Sequence, residues 1–329
     1  MSIAALALLG ALALPGAAPD TARGSVHTDT IWSQALGVGK RLLVYLPPSY
    51  DATPSRRYPV AFYLHGAWGG ETDWIEKGRI DRTMDSLVAQ GMPEMILIFP
   101  DGDDGFYTTW NALNNLAACR ADTKREEPAE TYCVPWPKYD EYVARELVAH
   151  VDSSYRTLAH REHRAIAGLS MGGYGAITLA LRYPDVFAAA ASHSGLLSPR
   201  YAGARPYAPP TRYAMSIDSM RARYGPALWA FMEPVFGADT AGWRARDPIV
   251  YARQLLSAGR RGPALFIDVG RDDFLLEQNR AFHADLAALG YPVRYAEWPG
   301  KHDWPYWTRH APESLQWLAG LIAPERSRT

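Results

Sequence analysis

Residues 168–172 read Gly-Leu-Ser-Met-Gly, which sets Ser170 between two glycines, each two positions away. A serine hydroxyl is a weak nucleophile until a neighbouring base takes its proton, and that base needs an acid to hold it. The G-x-S-x-G spacing suits a serine on a sharp strand-to-helix turn, where bulk two residues away would collide. The flanks agree. Residues 164–167 (RAIA) read as a strand, and 173–181 continue as a helix. The start of that helix would set backbone N–H groups beside developing negative charge. The competing reading, a glycine-rich turn with a buried or capping serine, explains neither flank.

With a nucleophile on such a turn, the chain order is serine, then acid, then histidine. Downstream, the apolar run 264–269 (ALFIDV) gives way to Gly270-Arg271-Asp272-Asp273-Phe274-Leu275, and 293–298 gives way to Pro299-Gly300-Lys301-His302-Asp303-Trp304. An acid just past a strand's C-terminal end shares a sheet edge with Ser170, and His302 falls one strand further along it. His283, inside a helical stretch, and His310, beyond the loop, are worse placed. Upstream, the run 64–70 (LHGAWGG) follows the third strand candidate. Its glycines allow close backbone approach, and the N–H groups of Ala67 and Met171 are the expected oxyanion donors. His65 reads as a structural hydrogen-bonding residue. Trp68, Tyr107 and Trp110 lie on loops at the same edge and are candidate walls of a substrate pocket, with scaffold roles as the alternative.

Positioning these residues takes a sheet. Residues 40–46 read as a strand paired with 26–33 across the Gly37/Gly39 turn, an antiparallel edge hairpin. Short apolar runs follow at 58–64, 95–99, 164–167, 188–192, 264–269 and 293–298. Helices are expected at 140–155, where Val143, Leu147, Val148 and Val151 keep helical spacing, through 181, and at 277–289. Strands that are continuous apolar runs and alternate with helices predict an α/β fold with a mostly parallel central sheet covered on both faces. The alternation fails at 199–243, which is rich in Pro, Arg, Tyr and Trp and reads as a lid-like insertion in one catalytic domain spanning 26–322.

The 34 Lys and Arg balance 35 Asp and Glu, a formal net charge of −1 that argues against a nucleic-acid partner. The apolar run 3–14, broken by Pro15-Gly16 and followed by small residues, reads as a signal peptide over 1–18, although no Lys or Arg precedes it. It is too short to span a bilayer, and no stable membrane insertion is expected. Export would place the protein outside the cell or in its envelope. Cys119 and Cys133 would then form a disulfide, worth about 3 kcal/mol in the chain-entropy model. Two free thiols are the alternative, and two cysteines alone hold no zinc.

At this point the chain resembles the esterase D-like family of α/β-hydrolases. The resemblance runs over roughly 40–318 and rests on LHGAWGG at 64–70, FPDGDDGFYTTW at 99–110, GLSMGGYGA at 168–176, GRDDFL at 270–275 and GKHDWPYW at 300–307. It implies the α/β-hydrolase fold, no metal and no organic cofactor. It also implies Ser170 as nucleophile, His302 as base and, by the pattern G-x-x-D-x-L, Asp273 as the acid, with the adjacent Asp272 as second choice. The expected activity is that of a secreted serine carboxylic ester hydrolase acting on small-molecule esters of small or aromatic acyl groups. A mycolyltransferase-like acyltransferase and an S-formylglutathione hydrolase-like thioesterase are the alternatives within the family. A catalytically dead binding protein is disfavoured because serine, acid and histidine are all present, and nothing indicates the long cleft of a peptidase.

Overall fold

The computed structural model describes residues 23–110, 116–121 and 128–324. The leader expected at 1–18 lies outside them. Eight strands form one sheet: β1 (Ser25–Ser33), β2 (Val38–Leu46), β3 (Val60–Leu64), β4 (Ile96–Pro100), β5 (Arg164–Leu169), β6 (Ala189–His193), β7 (Ala264–Gly270) and β8 (Val293–Trp298). Their spatial order is β1-β2-β4-β3-β5-β6-β7-β8. β1 and β2 pair antiparallel, as do β2 and β4, and every pairing from β4 to β8 is parallel. This is the α/β-hydrolase fold expected from the sequence, with the hairpin at the edge.

The alternation of side chains along each strand divides the core into two layers. Val60, Phe62, Leu64 and Ile166 face the layer that includes the helix Met171–Arg182. Ala61, Tyr63, Ala165 and Ala167 face the other, under the helices Ile80–Ala89 and Trp304–Ile322. Because both faces are covered, β3, β4, β5 and β6 are buried along their whole length, as their unbroken apolar runs require. The helix expected at 140–155 is present as Tyr139–Glu141, Tyr142–Leu147 and Val148–Ser154, with the middle piece wound as a wider π-helix.

The stretch read as an insertion leaves the end of β6 and carries the helices Ile217–Phe236 and Thr240–Ala245. The first breaks at Gly225 (φ 71°), just before Pro226. Trp243 anchors it through stacked contacts with Trp229 and Phe236, at 5.3 and 4.7 Å. A disulfide joins Cys119 and Cys133. No helix among the described residues is long and apolar enough to cross a membrane.

Candidate active site

Ser170 sits between the end of β5 and the first turn of the helix Met171–Arg182, with φ 52° and ψ −114°. Such a conformation costs a non-glycine residue about 1–3 kcal/mol and survives only where its surroundings dictate it. Here they do. A Cβ on Gly168 would strike the backbone of Gly172, and a Cβ on Gly172 would strike the carbonyl oxygens of Leu64 and His65. The two glycines let the turn close against β3. The Ser170 N–H donates to the His193 carbonyl on β6 (2.9 Å), which fixes the turn from the other side.

The hydroxyl so presented meets His302. Ser170 Oγ lies 2.9 Å from His302 Nε2, and His302 Nδ1 lies 2.9 and 3.1 Å from the two carboxylate oxygens of Asp273. A carboxylate only accepts, so Nδ1 carries the proton and Nε2 is free to accept from Ser170. The Asp273 side chain is buried, and its Oδ1 also accepts from the Leu275 N–H (2.8 Å). Asp272, the residue before it, is exposed, and its N–H donates to the Gly300 carbonyl (2.9 Å). His283 stacks on Tyr295, and His310 on Trp298. Ser194, which also has φ 52° just past a strand, is fully buried.

Gly66, Ala67, Met171, Ser170 and His302 line one cavity of about 320 Å3. The described residues supply no hydrogen-bond partner to the N–H of Ala67 or of Met171. His65 shapes this loop from beneath. The Gly102 N–H donates to its Nε2 (2.9 Å), so its Nδ1–H donates to the Gly66 carbonyl (2.8 Å). Behind His65, buried Lys40 pairs with Asp101 and Asp103. Burial alone would raise the Asp101 carboxyl, but Lys40 holds it well below the usual range. Burial and the charge of Asp101 push Asp103 the other way.

Most of the remaining cavity wall is apolar: Phe106, Leu196 and Phe274 from loops, Trp307 from the last helix, and Leu228, Phe231 and Met232 from the helix Ile217–Phe236, with the Lys77–Asp73 ion pair (2.7 Å) as its charged part. Trp68, 75% exposed, forms the rim and packs on Phe231 with ring centres 5.0 Å apart. Tyr107 and Trp110 do not line this cavity, which corrects the expectation from sequence. Tyr107 is fully buried and donates to the His65 carbonyl (3.2 Å). Trp110 lies against Tyr139 with its Nε1–H on the Gly105 carbonyl (3.2 Å). Both rings turn inward from their loop and hold it. The insertion's contribution was not assigned residue by residue from sequence, although Leu228, Phe231 and Met232 share one helix face by their spacing. On the far side of Trp68 lies a polar cleft of about 610 Å3, bordered by Arg41, Glu71, Asp73 and Asp104.

A parallel sheet carrying a serine on a strained turn, hydrogen-bonded through histidine to a carboxylate at its C-terminal edge, defines an α/β-hydrolase. Residues 33–318 match the family described as "Putative esterase", and the chain belongs to that esterase family, the esterase D-like group. It is 27% identical over 267 residues to an acetyl esterase of Caldicellulosiruptor saccharolyticus, covering 80% of this chain and 85% of that one. It is 29% identical over 281 residues to Esterase Rv1288 of Mycobacterium tuberculosis (strain ATCC 25618 / H37Rv), covering 82% of this chain but spanning only 54% of that relative. Among solved structures, a ferulic acid esterase superposes with a TM-score of 0.66 at 29% identity, over 91% of this chain and 99% of that one.

Proposed function

We propose that the protein is a secreted serine carboxylic ester hydrolase that works through an acyl-enzyme on small or aromatic acyl esters. The observation that carries this reading is the hydrogen-bonded row Ser170–His302–Asp273 opening onto an aromatic-lined cavity beside two backbone N–H groups with no partner among the described residues. Ser170 Oγ attacks the ester carbonyl carbon as its proton passes to His302 Nε2. The carbonyl oxygen takes up the negative charge between the N–H groups of Ala67 and Met171. Collapse of this adduct breaks the bond to the leaving alcohol, which takes the proton from Nε2. Water then repeats the sequence on the acyl-enzyme, releasing the acid and restoring Ser170. Asp273 keeps the imidazole in the tautomer with Nε2 free and stabilises it when charged.

The insertion acts as a lid, with Phe231 and Trp68 narrowing the entrance to the acyl pocket. A cavity of about 320 Å3 is far larger than a formyl group needs, which favours bulkier acyl groups over the thioesterase alternative. The polar cleft beyond Trp68 suits a polar alcohol portion. The disulfide supports export, because such bonds persist in oxidising compartments. The names of the acetyl esterase and the ferulic acid esterase point to the same reaction class.

The test is a panel of p-nitrophenyl and hydroxycinnamoyl esters beside S-formylglutathione, with and without a sugar acceptor. Fastest turnover is expected on an aromatic or short acyl ester, with water as the acceptor. Transfer to the sugar ahead of hydrolysis would make the protein an acyltransferase, and preference for the formyl thioester would make it a thioesterase.

A further inference from the structure

A second serine, histidine and aspartate lie together, sealed beneath the first. His193 at the end of β6, Asp268 on β7 and Ser314 on the helix Trp304–Ile322 have no solvent exposure. Ser314 Oγ donates to the Ala311 carbonyl (3.0 Å) and lies 2.9 Å from His193 Nε2. On the other side of the ring, His193 Nδ1 approaches Asp268 Oδ2 obliquely at 2.7 Å. The second oxygen of Asp268 accepts from the hydroxyl of Tyr306 (2.9 Å).

Tyr306 makes this array more than a core detail. Its ring closes over Gly300, which has φ +144° and whose added Cβ would come within 2.5 Å of Tyr306 Cδ2. On its other side, the Gly300 carbonyl accepts from the Asp272 N–H (2.9 Å), beside a second tie from the Arg271 N–H to the Trp298 carbonyl (2.8 Å). Gly300 is thus held between the loop of Asp273 and the Tyr306 ring, two residues before His302. At the other end, the His193 carbonyl holds the N–H of Ser170. One chain of contacts therefore runs from the backbone of Ser170 through His193, Asp268 and Tyr306 to the loop of His302.

We propose that Tyr306 is a positioning residue, held by Asp268, that keeps His302 at reacting distance from Ser170; this rests on the assignment of Ser170, Asp273 and His302 made above. Tyr306→Phe keeps the ring over Gly300 and removes only the tie to Asp268. Displacements of about 1 Å can cost on the order of a hundredfold in rate. The variant is therefore expected to lose about tenfold or more in kcat, and in the rate at which an active-site phosphonate labels Ser170, with KM within about threefold. Leu318→Ala, a cavity made elsewhere in the same helix, serves as the stability control and is expected to lower the melting temperature without that loss of kcat.

Gly300→Ala, which presses on the Tyr306 ring from the opposite side, is expected to reproduce the kcat loss and keeps the test open if Tyr306→Phe does not fold. A kcat within about twofold of the unmodified protein in either folded variant would overturn the proposal, as would an equal kcat loss in Leu318→Ala. If the unmodified protein took no label at Ser170, the underlying assignment would fall, and not only the role of Tyr306.

Discussion

The row Ser170–His302–Asp273 and the row Ser314–His193–Asp268 use the same three residue types at similar spacings, yet they are placed for different work. Ser170 stands on a strained turn with its hydroxyl 2.9 Å from His302 Nε2, beside a cavity and two N–H groups that have no partner among the described residues. Ser314 sits inside the helix Trp304–Ile322, gives its proton to the carbonyl of Ala311, and has no solvent exposure. On the function proposed above, nearness of serine, histidine and carboxylate is not what makes a nucleophile. The backbone must present the hydroxyl to substrate, leave the imidazole able to accept its proton, and provide donors where charge will develop. Without those, the same groups cross-link three elements of the core.

Mutation of the two serines breaks the comparison most sharply. Ser170→Ala is expected to cost on the order of 10^4 or more in kcat on any accepted ester. Ser314→Ala, which strips His193 of one partner, is expected to cost about 1–3 kcal/mol of stability and no more than about tenfold in kcat. Steady-state kinetics with parallel thermal melts decide between these outcomes. Next come the adjacent carboxylates. Asp273→Asn should lower kcat by about 10^3–10^4, because the imidazole loses the partner that sets its tautomer, while Asp272→Asn should lower it far less. A larger loss from Asp272→Asn would exchange their roles.

A smaller effect sharpens the contrast between cavity and core. Phe231→Ala, in the proposed lid, should change the ratio of kcat/KM between aromatic and short acyl esters by about 1–3 kcal/mol, with little change in melting temperature. Tyr107→Ala should instead lower the melting temperature and slow every substrate alike. The smallest effect concerns another buried carboxylate. Asp247 caps the helix Pro248–Ser257 and pairs with Arg200 at 2.8 Å. Burial pushes its carboxyl up to about 6, against the pull of Arg200, from an ordinary value of 3.8. Its proton is thus held more tightly in the folded chain than in the unfolded one. The stability it contributes is present below about pH 4 and is lost as the pH rises through 6. Thermal melts from pH 5 to 7.5 should show a shallower decline in Asp247→Asn than in the unmodified protein.

The strands and the Ser170 turn were legible because their signals are local: unbroken apolar runs, and two glycines that the turn cannot do without. The loop of His302 followed from chain order and strand context. Choosing Asp273 over Asp272 took a family pattern, since a loop has no side-chain periodicity that would say which of two adjacent carboxylates turns inward. For Tyr107 and Trp110 the scaffold alternative and not the pocket one fits the structure, because loop membership places the backbone and not the ring. Leu228, Phe231 and Met232 lie in a stretch whose alternation fails, where only their spacing hints at a shared face. Nothing local connects His193, Asp268 and Ser314, which come from three distant elements and meet only through the sheet order β6-β7 and the helix laid over it.

The central claim is that backbone presentation, and not residue type, selects the reactive serine. An aryl phosphonate applied to the folded protein, followed by peptide mapping, tests it directly. The account predicts one label per chain, on Ser170, abolished in Ser170→Ala and absent from Ser194 and Ser314. Label on either of those serines, or label that persists in Ser170→Ala, would contradict it.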